Sequence, residues 1–132
     1  MLADLDDFKL INDRFGHHAG DEVLLAFAEL LRGHGRDVDV AARLGGEEFA
    51  ILLPETGLDG GSAGAERMRQ SLADLRIRLS ERDEVTVTAS FGIAELAEGQ
   101  SVDSLLRAAD GALYQAKELG KNRVEVAVAE SA

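Results

Sequence analysis

Val38-Asp39-Val40-Ala41-Ala42-Arg43-Leu44 and Phe49-Ala50-Ile51-Leu52-Leu53-Pro54 flank the four residues Gly45-Gly46-Glu47-Glu48. Two short apolar runs joined by a Gly-Gly pair read as a β-hairpin, and Pro54 closes its far side because it has no N–H to donate. Two carboxylates at a hairpin tip contribute little to packing. The glycines let the backbone turn tightly there and come close to a ligand.

Upstream, Met1-Leu2-Ala3 is an apolar run ending in Asp4-Leu5-Asp6-Asp7, the tail of a strand. Phe8 to Phe15 has helical spacing and ends at Gly16. Val23, Leu24, Phe27, Leu30 and Leu31 repeat at helix period, with Gly33 and Gly35 as the stop. Downstream, Thr56-Gly57-Leu58-Asp59 has capping-box spacing, and Ala65, Met68, Leu72, Leu75 and Leu79 predict a helix after it. Val85, Val87, Ala89 and Phe91 alternate with Thr86, Thr88 and Ser90, which predicts one half-buried strand. Leu105 to Ala116 predicts the last helix, stopped by Gly120, and Arg123 to Val128 a final strand. The order predicts one α+β domain over residues 1–132, an antiparallel sheet with helices on one or both faces.

Composition narrows the chemistry. The chain has no Cys, which excludes disulfides, thiolate metal sites and a cysteine nucleophile. No apolar run approaches the ~20 residues that span a bilayer, and no signal-peptide pattern opens the chain, so a cytoplasmic location is expected. A net charge of −11 argues against nucleic-acid binding, which needs a basic surface. A small anionic ligand is compatible with that charge if local Lys or Arg residues, or a metal ion, receive it.

Two acidic clusters sit at chain reversals: Asp4 with Asp6 at the end of the first strand, and Glu47 with Glu48 at the hairpin tip. If the hairpin lies beside the first strand, Asp4 and Glu47 converge. Hard oxygen donors brought together in this way suit Mg²⁺, which takes carboxylates together with substrate phosphates and water. Either motif alone would be read as a solvated turn.

The segment Asp4-Leu5-Asp6-Asp7-Phe8-Lys9-Leu10-Ile11-Asn12-Asp13-Arg14-Phe15-Gly16-His17-His18-Ala19-Gly20-Asp21 resembles, without a gap, a signature of the GGDEF family. Gly45-Gly46-Glu47-Glu48-Phe49 is similar to the motif that names the family, and Lys117-Glu118-Leu119-Gly120-Lys121-Asn122 to its closing motif. The resemblance implies a nucleotide-cyclase, palm-like sheet with GGEEF at a hairpin tip. It implies a diguanylate cyclase, a nucleotidyltransferase that condenses two GTP into cyclic di-GMP and pyrophosphate in bacterial second-messenger signalling.

The same resemblance implies the site residues. Asp4, the carbonyl of Leu5 and Glu47 would hold two Mg²⁺ ions per active site (Mn²⁺ being an alternative), with Glu48 an auxiliary acid and Glu47 also the proton acceptor. Lys9, Lys117 and Lys121 would neutralise phosphate charge, and the backbone amides around Phe8 would meet phosphate oxygens. Asn12 and Asp21 would read guanine, whose N1–H and N2–H₂ donors suit a carboxylate. His17 would be a further substrate contact. Arg36 and Asp39 match an inhibitory product site, which Arg67 would complete from a neighbouring subunit. Arg107-Ala108-Ala109-Asp110 repeats the Arg-x-x-Asp pattern inside a helix, where it reads as a surface pair. Catalysis would need a homodimer. Relatives carry a helix and a further segment before the first strand, then input domains upstream, which could anchor a parent protein in a membrane. The rival reading is a silent GGDEF module that binds GTP or cyclic di-GMP and signals through a partner. A cyclase for ATP is disfavoured by Asp21.

Overall fold

The computed structural model describes residues 1–128. Strand β1 (Leu2–Leu5) leads through a turn at Asp6-Asp7 into α1 (Phe8–Phe15) and α2 (His17–His34). The hairpin is β2 (Val40–Gly45) and β3 (Glu48–Leu52), followed by α3 (Leu58–Asp74). Short strands β4 (Ile77–Arg78) and β5 (Glu84–Val85) precede β6 (Ala89–Ile93), α4 (Val102–Glu118) and β7 (Val124–Val126). The main sheet runs β2-β3-β1-β6-β7, and β4 pairs with β5 apart from it. Only β7 breaks the antiparallel pattern, pairing parallel with β6 because α4 is the crossover between them.

The first strand fills the gap between the hairpin and β6. Leu2, Ala3 and Asp4 face Ala50, Phe49 and Glu48 on one side, and Gly92, Phe91 and Ser90 on the other. Alternation sends Ala3, Leu5, Phe49, Ile51 and Phe91 to the face covered by α2 and α3, where Val23, Phe27, Leu31, Ala65, Met68 and Leu72 meet them. Phe27 stands edge-on to Phe49 and Phe91, at centroid distances of 5.1 and 6.4 Å. The opposite face carries α4, whose Ala109 and Leu113 pack on Leu2. Gly92 permits this contact: a Cβ there would lie 2.3 Å from both the Ala109 carbonyl oxygen and the Leu113 nitrogen.

Several expectations from periodicity are corrected. The third helix ends at Asp74 instead of running through Leu79, because Ile77 leaves to pair with Val85. Thr56 does not cap it: Gly57 is the N-cap, and the Thr56 hydroxyl donates to the Pro54 carbonyl. Gly33 lies inside α2, which stops only at Gly35. The alternating run from Val85 to Phe91 is split between two sheets, and β6 is buried on both faces since α4 covers the side expected to meet water. The final strand is shorter than expected and spans Val124–Val126.

Candidate active site

Three chain reversals meet at one end of β1. Asp4 lies opposite Glu48 in the sheet, and the Leu5 N–H donates to the Glu47 carbonyl at 3.3 Å. The hairpin tip can approach because Gly45 and Gly46 turn with φ of 151° and 51°. A bulge at Arg43–Gly45 and a 2.9 Å bond from Arg43 Nε to the Gly46 carbonyl secure it. The fold therefore brings the two acidic clusters together.

The charges there are balanced by Lys117 on α4. Its ammonium lies 2.9 Å from Asp4 Oδ1 and 2.7 Å from Asp6 Oδ1. It also donates to the carbonyl oxygens of Leu5 at 3.3 Å and Asp4 at 3.5 Å. Burial pushes the Asp4 carboxyl above its usual range, and neighbouring Glu47 and Asp6 push the same way against Lys117. Burial likewise raises Glu48, with help from Asp4, Asp110 and Glu47.

Asp6 is the residue whose role the motif reading missed. It is 5% exposed, yet its carboxylate accepts from four groups. Ser90 Oγ and Lys117 Nζ reach Oδ1, each at 2.7 Å. Thr88 Oγ1 at 2.7 Å and the Asn122 N–H at 2.9 Å reach Oδ2. Burial alone would raise this carboxyl, but the bonds from Lys117, Ser90 and Thr88 outweigh it and hold it below the usual range. Asp6 thus ties the end of β1 to β6, α4 and the closing loop. The available sequence signal was its i, i+2 spacing from Asp4.

The first helix opens beside this cluster. Its N-cap, Asp7, has φ 54° and no side chain caps the helix, which leaves its first amides without a side-chain partner. Lys121, at φ 66°, reaches back to bond Asp7 Oδ1 at 2.6 Å. Phe8 is half-buried, whereas Lys9 is exposed and makes no hydrogen bond among the described residues. Asn12 lies against Gly20 of α2, next to Asp21, so the two expected base readers share the α1–α2 junction. Asp21 also lines a cavity of about 430 Å³ with Leu24, Leu25, Arg32, Arg43 and Phe49. His17 is exposed at the start of α2.

The expected product site lies elsewhere, between α2 and β2. Arg36 binds Asp39 through Nη2 at 2.9 Å and also donates to the Pro54 carbonyl and Thr56 Oγ1. Its hydrogen bonds hold the Asp39 carboxyl below the usual range. Arg67 is exposed on α3, and no hydrogen bond joins it to this pair among the described residues.

A metal ion suits the acidic cluster. A cationic ammonium already stands among Asp4, Asp6 and the Leu5 carbonyl, in reach of the donors a hard cation would take. Among the described residues no three His, Cys, Asp or Glu side chains gather around one point. A metal there would have to complete its shell with carbonyl, water and phosphate oxygens, as Mg²⁺ does.

The family model "Diguanylate cyclase, GGDEF domain" matches residues 1–123. The chain is 44% identical over 126 residues to diguanylate cyclase VdcA of Vibrio cholerae, covering 94% of this chain and 37% of that protein. It is 48% identical over 125 residues to the uncharacterized protein YhcK of Bacillus subtilis, covering 94% of this chain and 35% of the relative. The chain thus spans little more than a third of these relatives. Among solved structures, the active GGEEF domain of a Vibrio cholerae diguanylate cyclase superposes with TM-score 0.90 at 35% identity, covering 98% of this chain and 81% of that one. The GGDEF domain of DgcB from Caulobacter crescentus, in complex with c-di-GMP, superposes with TM-score 0.91 at 35% identity, covering 96% and 75%. Among the described residues no helix is long and apolar enough to cross a membrane.

Proposed function

As this chain belongs to the diguanylate cyclase, or GGDEF, family, we propose that it is a nucleotidyltransferase condensing two GTP molecules into cyclic di-GMP in the cytoplasm. Each 3′-hydroxyl attacks the α-phosphorus of the other nucleotide, the bond to the β-phosphate oxygen breaks, and pyrophosphate leaves. Two such steps close the ring. The observation that carries this reading is the register of β1 against the hairpin, which sets Asp4 opposite Glu48 beside the Glu47 backbone.

In this reading Asp4, the Leu5 carbonyl and Glu47 hold two Mg²⁺ ions, with Mn²⁺ an alternative, and Glu48 adds negative charge to the same cluster. The bound metal would supply Lewis acidity to the triphosphate. Glu47 accepts the proton of the attacking hydroxyl. Lys9 and Lys121 meet phosphate charge, as do the first amides of α1 near Phe8. Lys117 is already engaged by Asp4 and Asp6, so its first task is to hold those carboxylates in place. Asn12 and Asp21 read the guanine edge, with His17 a neighbouring contact. Arg36, Asp39 and a partner's Arg67 form an inhibitory site for the product.

Incubation with GTP and MgCl₂, followed by mass spectrometry, should yield cyclic di-GMP and pyrophosphate. Glu47→Gln keeps the side chain's shape and loses its charge, so turnover should fall by orders of magnitude while the fold survives. Arg36→Ala should keep the initial rate and relieve inhibition by added cyclic di-GMP. Wild-type turnover from Glu47→Gln would remove that residue from the mechanism. Tight GTP binding without product would leave a binding module instead.

A further inference from the structure

Gly20 lies inside α2, where glycine is the poorer helix former and Ala would serve the helix better. The space around it explains the residue. A Cβ at position 20 would lie 1.9 Å from Asn12 Oδ1, 2.9 Å from Asn12 Cγ and 3.0 Å from Phe8 Cζ. The bare Cα makes a notch between α1 and α2, and the Asn12 carboxamide lies in it with the Phe8 ring as a third wall. Asn12 has only two side-chain torsions, so it cannot yield to a methyl group and still point the same way.

A second observation makes this placement more than packing. Asn12 Oδ1 is buried and has no hydrogen-bond partner among the described residues. Buried polar groups are nearly always paired, and an orphan needs a reason. With Oδ1 wedged in the notch the carboxamide plane is fixed, and its NH₂, which makes no hydrogen bond among the described residues, is left to meet a base that arrives later. Asp21, the adjacent residue, supplies the charged acceptor for the same base.

We propose that Gly20 is a specificity-determining positioning residue, its missing side chain fixing the Asn12 carboxamide for guanine. This rests on the reading of Asn12 as a guanine contact. The test is a double-mutant cycle read by calorimetric binding. The ligands are GTP and ATP analogues with a methylene between the α- and β-phosphorus, which cannot be turned over. Gly20→Ala should weaken binding of the GTP analogue by about tenfold or more, the scale of one unmet hydrogen bond, and leave the ATP analogue unchanged. In an Asn12→Ala background the same substitution should change GTP-analogue affinity by less than about twofold, because the group it displaces is gone. The Asn12 side-chain amide resonances should also shift in ligand-free Gly20→Ala.

Equal weakening in both backgrounds, or none in either, overturns the inference while leaving Asn12 as a reader if Asn12→Ala alone is weak. Wild-type affinity in Asn12→Ala overturns the guanine assignment itself. If Gly20→Ala fails to fold, the double variant should fold, since it removes the clash with Asn12. A double variant that also fails would show Gly20 to be a core-packing residue only.

Discussion

Asp6 joins four segments through one carboxylate, which accepts from two hydroxyls, one ammonium and one backbone N–H. An amide in its place could still accept from Lys117 and Ser90 at one atom. Its NH₂ would then confront the Asn122 N–H, and the charge facing Lys117 would be lost. Asp6→Asn should therefore cost about 2–4 kcal/mol in urea or thermal unfolding. Ser90→Ala, which removes a single neutral donor, should cost about 1 kcal/mol. Equal losses from the two variants would mean that the hydrogen bonds, and not the ion pair with Lys117, dominate this knot. Asp4 and Asp6 were both legible as an acidic pair, but their different tasks were not. The difference arises from burial, which only the packed helices and sheet provide.

At the scale of elements, α4 depends on how closely it approaches β6. It carries Lys117 to the acidic cluster, and Gly92 lets its backbone lie on the strand. Gly92→Ala would place a methyl group against two backbone atoms that cannot rotate away, so α4 must shift. The expected loss is about 2–3 kcal/mol, typical of overpacking, and Lys117 should move with the helix. Gly111, in the same helix, has nothing within 4 Å of a Cβ. Gly111→Ala should be neutral or stabilise by up to about 1 kcal/mol through helix propensity. Similar melts for both variants would show that the close approach is not limiting. Periodicity found this helix and its strand, but alternation misjudged β6, where Ser90 turns toward Asp6 and not toward solvent, and Thr88, just before the strand, also donates to Asp6.

At the scale of the molecule, the acidic cluster at the end of β1 is the candidate active site of one chain, while the proposed product needs two attacks on two α-phosphates. Two chains must then face each other about a two-fold axis, each nucleotide's hydroxyl aimed at the other's phosphorus. A net charge of −11 on each chain opposes that association. The 132-residue chain is expected to sediment as a monomer, with initial rate rising about as the square of protein concentration. Added salt should help by screening the repulsion. Fusion of a two-stranded coiled coil before Met1 should raise specific activity. Constant specific activity down to nanomolar chain would contradict this account.

The sequence by itself determined the order of the main-sheet strands and the four helices, though not the small β4–β5 pair, and with it the glycine hairpin with its two carboxylates and the α+β class. These follow from local periodicity and turn chemistry, which act over a few residues. The convergence of Asp4 with the hairpin was conditional on sequence grounds and became definite with the β1–β3 register. Only the tertiary structure decided that Asp6 is a hub, that Lys117 lies on the acidic donors, and that Gly20 makes room for Asn12. The Asp6 contacts join residues 82 to 116 positions apart. No pattern with a period of two or 3.6 residues carries information over such separations. The notch at Gly20 depends on the packing of α1 against α2, and a glycine in a helical pattern does not announce which neighbour needs its space. The two-sided burial of β6 has the same origin: one strand is covered by helices from distant parts of the chain.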